Sequence, residues 1–244
     1  MNRILLVLFV LTNLVLSAQE SVVLRLNFDA GDSYTTTVKL DQKMGAQGGM
    51  TMTMAMNSLV SNADSEAIAL ESKINSIVIN IDQGGMTMNY DSTKNAEELD
   101  QMGQMMKSQF DPFLKATIFN SMDLYGNVLE TRMEPSLAGM EQFTVNQNAI
   151  NFPEEAISVG SSWVSETSQQ GMNVTTKYAV NTITDGMVLL DISGTISGVG
   201  EGSLKGTSSV DISSGLQTNA TVEMTVSVQG MEMNLTSTST MVKN

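Results

Sequence analysis

From Val22 onward, apolar and polar residues alternate with a period of two along most of the chain, the pattern of strands with one buried and one wet face. Val22-Val23-Leu24-Arg25-Leu26-Asn27-Phe28 reads as the first strand, closed by a turn at Asp29-Ala30-Gly31-Asp32. A Thr-rich strand follows from Tyr34 to about Met44, and Gln47-Gly48-Gly49 turns the chain back on itself. Met50, Met52, Met54 and Met56 then alternate with Thr51, Thr53 and Ala55, which puts four thioethers on one face of a strand. After a turn at Asn62-Ala63-Asp64-Ser65, residues 67–81 read as one long strand or two short ones. Gln83-Gly84-Gly85 leads into a further strand bearing Met86 and Met88.

The period changes near Asp91. Asn95 and Glu98 have the spacing of a capping box, and Glu97, Glu98 and Asp100 suit the positive end of a helix. Leu99, Met102, Met106, Phe110, Phe113 and Leu114 recur at helical spacing, predicting one main helix near 94–116 that Pro112 kinks or ends in its last turn. Ile118-Phe119 resumes a strand, and Tyr125-Gly126-Asn127 turns a hairpin reaching Glu130. Pro135 to about Asn148 reads as a second, weaker helix with Leu137, Met140 and Phe143. From Phe152 the pattern is one of short strands and turns, including an Asp185-Gly186 hairpin.

The expected fold is therefore mainly β (α+β), with curved, open-barrel-like antiparallel sheets and one main helix. Gly31-Asp32-Ser33-Tyr34 matches Gly160-Ser161-Ser162-Trp163, and Gln-Gly-(Gly)-Met recurs at Gln47, Gln83, Gln170 and Gln229. Two duplicated lobes and repeated use of one turn chemistry both explain these matches. A single β-rich domain is expected over 19–244, with lobe one at about 19–93, a helical and hairpin middle at 94–152, and lobe two at about 153–244.

Residues 1–18 stand apart. Asn2-Arg3 precede an apolar run from Ile4 to Leu11, and Ser17-Ala18 supply a small-residue cleavage site, as in a signal peptide. The run is too short and interrupted to span ~30 Å of hydrocarbon. No Cys follows it for lipid attachment. Export to the periplasm or the extracellular space is expected, without lipoprotein modification and with no transmembrane anchor after cleavage.

Composition narrows the chemistry. There are no Cys and no His, which removes disulfides, Cys/His zinc sites and His-based triads. A net charge of −14 repels phosphate backbones, so no nucleic-acid partner is expected. No nucleophile elbow, P-loop or dinucleotide fingerprint occurs. No catalytic residue, metal site or cofactor is assigned, and the reading leans away from an enzyme. Asp29-Ala30-Gly31-Asp32-Ser33 loosely matches an oxygen-rich calcium loop but lacks the remaining ligands, so a β-turn is expected.

The 20 Met residues are the distinctive feature. Thioethers favour Cu(I), but neighbours on one strand stand nearly 7 Å apart and do not chelate alone. Met also suits surfaces that accept varied apolar ligands, and it fills ordinary cores. The candidate binding residues are Met50, Met52, Met54, Met56, Met86, Met88, Met106, Phe110, Phe113 and Trp163. Trp163, the one Trp, is either a stacking platform or a core plug. The leading expectation is a non-catalytic binder of a hydrophobic small molecule or lipid. The alternatives are a structural or adhesive protein acting through an envelope protein partner, and a soft-metal binder.

Leu24-x-Leu26-x-Phe28-x-x-Gly31-Asp32-x-Tyr34, followed by Phe152-Pro153 and Ile157-x-Val159-Gly160-x-x-Trp163, resembles a family of uncharacterised secreted bacterial β-proteins. The resemblance implies a secreted β-fold and transfers no catalytic residue. The expected layout, a curved sheet facing a helix, is also similar in architecture to lipoprotein-carrier half-barrels.

Overall fold

The alternation is realised in one antiparallel sheet of 12 strands. The computed structural model describes residues 20–45, 48–136, 150–169, 171–228 and 230–244. The signal-peptide reading and most of the weaker-helix reading lie outside these residues. The elements run β1 (Ser21–Val22), β2 (Ser33–Lys43), β3 (Gly48–Ala63), β4 (Ala67–Gln83), β5 (Met86–Asp91), α1 (Gln101–Lys115), β6 (Thr117–Asp123) and β7 (Val128–Glu134). They continue as β8 (Ile157–Ser158), β9 (Ser162–Gln169), β10 (Met172–Thr184), β11 (Met187–Gly198), β12 (Glu201–Asp211), β13 (Gln217–Val228) and β14 (Met231–Lys243).

The order across the sheet is β7-β6-β4-β3-β2-β14-β13-β12-β11-β10-β9, with β5 beside the C-terminal part of β4. Two strands distant in sequence, β2 and β14, pair at its middle. The edges β7 and β9 do not pair with each other, so the curved sheet stays open rather than closing into a barrel. Residues 67–83 form one strand of 17 residues rather than two. The C-terminal strands are long, 11–13 residues from β10 to β14, which corrects the expectation of short ones. Gly194, Gly202 and Gly206 break the sequence pattern yet sit inside ladders.

The N-terminal stretch is the largest departure. Only Ser21–Val22 joins a ladder, pairing with β8. Beyond it the chain crosses one end of the sheet as a plug, and its backbone donates to two distant turns. The Leu26 amide reaches the Leu124 carbonyl (2.8 Å), and the Asn27 amide reaches the Ser214 carbonyl (2.9 Å). The alternation therefore reports a segment wet on one side and buried on the other, as in a strand, but with its hydrogen bonds spread over separate partners. Leu24 packs with Ile150, Phe152, Ile157, Val188 and Leu190, and Phe28 with Tyr34, Val60 and Ile68. Arg25 secures the crossing. Its guanidinium donates to the carbonyls of Pro153 (2.8 Å) and Glu154 (2.7 Å) and lies 4.0 Å above the Tyr125 ring.

The helix is also split. Asn95 and Glu98 form the capping box, but around a 3-10 turn at Ala96–Glu98. The α-helix proper starts at Gln101, where Asp100 accepts a hydrogen bond from the Gly103 amide (2.7 Å). It runs through Pro112 and ends three residues later, at Lys115. Among the described residues, no helix is long and apolar enough to cross a membrane.

The turns at the plugged end are built on aspartate. Asp64 accepts from the amides of Glu66 (2.8 Å) and Ala67 (2.9 Å), and Asp211 accepts from the Ser213 hydroxyl (2.6 Å) and the Ser214 amide (2.9 Å). Asp29–Asp32 is a β-turn, closed by the Asp32 amide on the Asp29 carbonyl (3.0 Å), and the Asp32 carboxylate pairs with Lys243 (2.5 Å). Donated hydrogen bonds hold Asp64 and Asp211 below the ordinary value of 3.8, and Lys243 does the same for Asp32. A group that is more acidic when folded stabilises the fold above its unfolded pKa and stops doing so as pH falls through the folded one. Unfolding by urea is therefore expected to become easier as pH drops below about 4. The combined variant Asp64→Asn, Asp211→Asn should show a shallower acid dependence, and an unchanged one would contradict the assignment. At the alkaline end, burial and the Asp32 carboxylate push Tyr34 from 10.0 up to about 12. Its contribution is complete below 10 and is lost as pH rises through 12.

Candidate functional site

Opposed residues in an antiparallel ladder point to the same side, so the registers sort every strand position onto one of two faces. One row runs Tyr90–Ile79–Met52–Leu40–Ser237–Val222–Gly206–Ile192–Tyr178–Trp163, from β5 to β9. The neighbouring rows on this face are of the same kind, for example Ile77–Met54–Val38–Ser239–Ala220. Among the described strand positions on it, the one charged residue is Lys243, at the plugged end and paired with Asp32. The opposite face carries Lys39, Asp41, Lys177, Glu201, Lys205 and Glu223. A chain with 38 Lys, Arg, Asp and Glu residues thus keeps one face of its sheet nearly free of charge.

The helix lies over one half of this face. Ile77, Ile79 and Tyr90 are buried beneath it and pack with Met50, Met52 and Met54 and with Leu99, Met106, Phe110 and Leu114. Gly103 lets the helix approach, because a Cβ there would meet the Asn89 carbonyl at 3.0 Å and Leu99 at 3.2 Å. Phe110 stacks on Tyr90 with centroids 5.5 Å apart, and Phe113 packs on Phe110 at 5.9 Å. Five of the candidates read from the sequence, Met50, Met52, Met54, Met106 and Phe110, therefore meet in one cluster, with Phe113 beside them. Met56 and Met88 share the face outside that cluster. Met86 shares it as well but is 71% exposed. Trp163 lies on the same face at the far edge, stacked on Tyr178 (5.4 Å) rather than near the Met ladder.

The other half holds a second apolar cluster, in which Ile192, Ile196 and Leu204 are buried by Met172, Val174, Tyr178, Val222, Met224 and Val226. Every member comes from β10–β13, so the sheet buries these side chains by curving on itself. Large residues face glycines across the ladder: Ile192 opposite Gly206, Leu204 opposite Gly194, and Ile196 opposite Gly202. Between the two clusters, β2 and β14 mix Val38, Leu40 and Leu235 with Thr36, Gln42, Ser237 and Ser239. This is a narrow polar seam, where Gln42 Nε2 lies 3.8 Å from Met233 Sδ.

Three buried polar atoms among the described residues find no hydrogen-bond partner: Tyr90 Oη, Thr36 Oγ1 and Trp163 Nε1. All three side chains belong to this face. Burial, reinforced by Asp111 and Asp91, raises the Tyr90 hydroxyl above its ordinary pKa, and burial alone raises Tyr178. Both stay protonated and able to donate.

No protein-family model and no curated protein matches the chain. Among solved structures it is similar to lipovitellin, in a structure described as "lipid-protein interactions in lipovitellin", with a TM-score of 0.53 and 9% sequence identity. The match covers 89% of this chain and 25% of lipovitellin, so the chain spans about a quarter of that protein's length. At this identity the likeness is one of fold, a large open antiparallel sheet. Tyr90, Thr36 and the β10–β13 cluster escaped the sequence reading. Alternation did mark their faces, but only the ladder registers show that those faces are one surface.

Proposed function

We propose that the chain binds a hydrophobic, lipid-like ligand on the nearly charge-free face of its sheet, as a non-catalytic carrier exported to the periplasm or beyond. The observation that carries this reading is the extent of that face. It offers buried and half-buried Met, Ile, Val and Leu side chains on nine neighbouring strands from β5 to β10, with Trp163 on β9 beyond them, while every described strand charge but Lys243 is kept on the other side. The helix over one half and the plug at one end give the face a sheltered interior. The polar seam and the three unpaired donors supply hydrogen bonds for an amphiphile's ester, amide or carboxylate oxygens. The printed description of lipovitellin supports the reading by analogy of fold.

Titration of the detergent-free protein with a dansyl-labelled fatty acid tests it. Saturable binding is expected, and Met52→Glu with Met54→Glu should weaken it at least about tenfold, because a carboxylate is then desolvated on the apolar face. Met224→Glu, in the other half, provides a second reading should the first variant fold poorly. Absence of saturable binding, or undiminished affinity in folded variants, would count against the proposal and favour protein–protein contacts.

A further inference from the structure

The two ends of the sheet close differently. At the plugged end the turns combine aspartate side chains with glycines, and although Val23, Leu129, Val159 and Val242 are exposed there, the N-terminal crossing covers that end of the apolar face. At the other end the five hairpins β2–β3, β4–β5, β9–β10, β11–β12 and β13–β14 all turn through glycine. Gly48, Gly84, Gly85, Gly171 and Gly230 take positive φ there. Beside these glycines stand side chains held out to solvent: Met86 at 71% exposure, Val199 at 61% and Met231 at 54%. The tips also touch one another. The Val199 amide donates to the Gly171 carbonyl (3.1 Å), and Gly200 lies against Val226 and Val228. Met86, Val199 and Met231 thus form an apolar rim along one end of the sheet, where the rows of the nearly charge-free face run out.

We infer that this rim docks on a lipid surface with zwitterionic headgroups, and that the ligand passes between membrane and apolar face there. The inference rests on the ligand-binding reading above. Two observations select the partner. The rim is continuous with the apolar face through Met88, Met233 and Val226, so an acyl chain can move from one to the other without crossing charge. The charges flanking the tips are Asp82, Glu201 and Glu232 against Lys43, an acidic balance that repels anionic headgroups.

Co-sedimentation with phosphatidylcholine vesicles tests this on the full folded chain. The wild type should pellet with the vesicles, and Met86→Gln with Val199→Asn and Met231→Gln should reduce partitioning at least about tenfold. Leu129→Gln with Val164→Asn, at exposed apolar sites away from the rim, should leave it unchanged. Vesicles rich in phosphatidylglycerol should bind less. Failure of the wild type to pellet, an equal loss in the control variant, or tighter binding to the anionic vesicles would each overturn the inference. Binding of the dansyl fatty acid in vesicle-free solution separates the two readings. The rim variant should retain it, whereas its absence in the wild type would remove the ligand reading and leave vesicle docking to be judged on the pellet.

Discussion

Leu24→Asp is expected to abolish the cooperative folded state at room temperature. Leu24 is 1% exposed and sits among Ile150, Phe152, Ile157, Val180, Val188, Leu190 and Val210. Truncation of such a side chain to Ala removes about 2–5 kcal/mol, and an unpaired buried carboxylate adds several more. That sum is comparable with the whole stability of an ordinary domain, about 5–15 kcal/mol. The loss should be global, because the plug joins the two sides of the sheet. Leu26 is bonded to the β6–β7 turn and Asn27 to the β12–β13 turn, and Arg25 holds the segment carrying Pro153 and Glu154. Thermal melting followed by circular dichroism gives the answer. A sharp transition should be absent in Leu24→Asp and shifted well down in Leu24→Ala. A midpoint within a few degrees of the wild type in either would show that the N-terminal crossing is an accessory.

Gly206→Val should destabilise by on the order of 3 kcal/mol. Gly206 faces Ile192 on one side and Val222 on the other. A Cβ there would fall inside the contact radius of the Thr221 carbonyl oxygen, and the same holds for Gly202 with Thr225 and Gly194 with Thr175. Any side chain must push β12 and β13 apart or flatten the curve that buries Ile192 and Leu204. Thr207→Val, next in sequence but on the exposed opposite face, should stay within about 0.5 kcal/mol of the wild type. Urea midpoints at constant slope compare the two. Equal, small effects would contradict the claim that alternating glycines set the curvature of the apolar face.

What the sequence reveals depends on whether a feature is local. The Met50–Met56 ladder is legible because strand geometry alone forces alternate residues to one side. The helix is legible from its apolar spacing, although Asn95 and Asp100 both qualify as caps and only the chain's path assigns the longer helix to Asp100. The Val22–Phe28 alternation was legible as two-sidedness but not as a plug, since its carbonyl partners lie about 100 and 190 residues away. The region from Phe152 reads as short strands and turns in a Ser/Thr/Gly-rich sequence, whereas Gly194, Gly202 and Gly206 lie inside long strands, at positions where a Cβ would collide with the carbonyl of the neighbouring strand. Trp163 and Met52 share one row, a fact that rests on seven successive strand pairings and on no motif.

The central claim is that the charge-free face carries a ligand, and native mass spectrometry tests it most directly. The mature chain would be purified from a bacterial periplasm without detergent and weighed before and after denaturation. A reproducible added mass that is released on unfolding, and that is lost in the folded Met52→Glu, Met54→Glu variant, is the predicted result. A bare polypeptide mass that stays bare after incubation with vesicle-derived lipid would contradict the account.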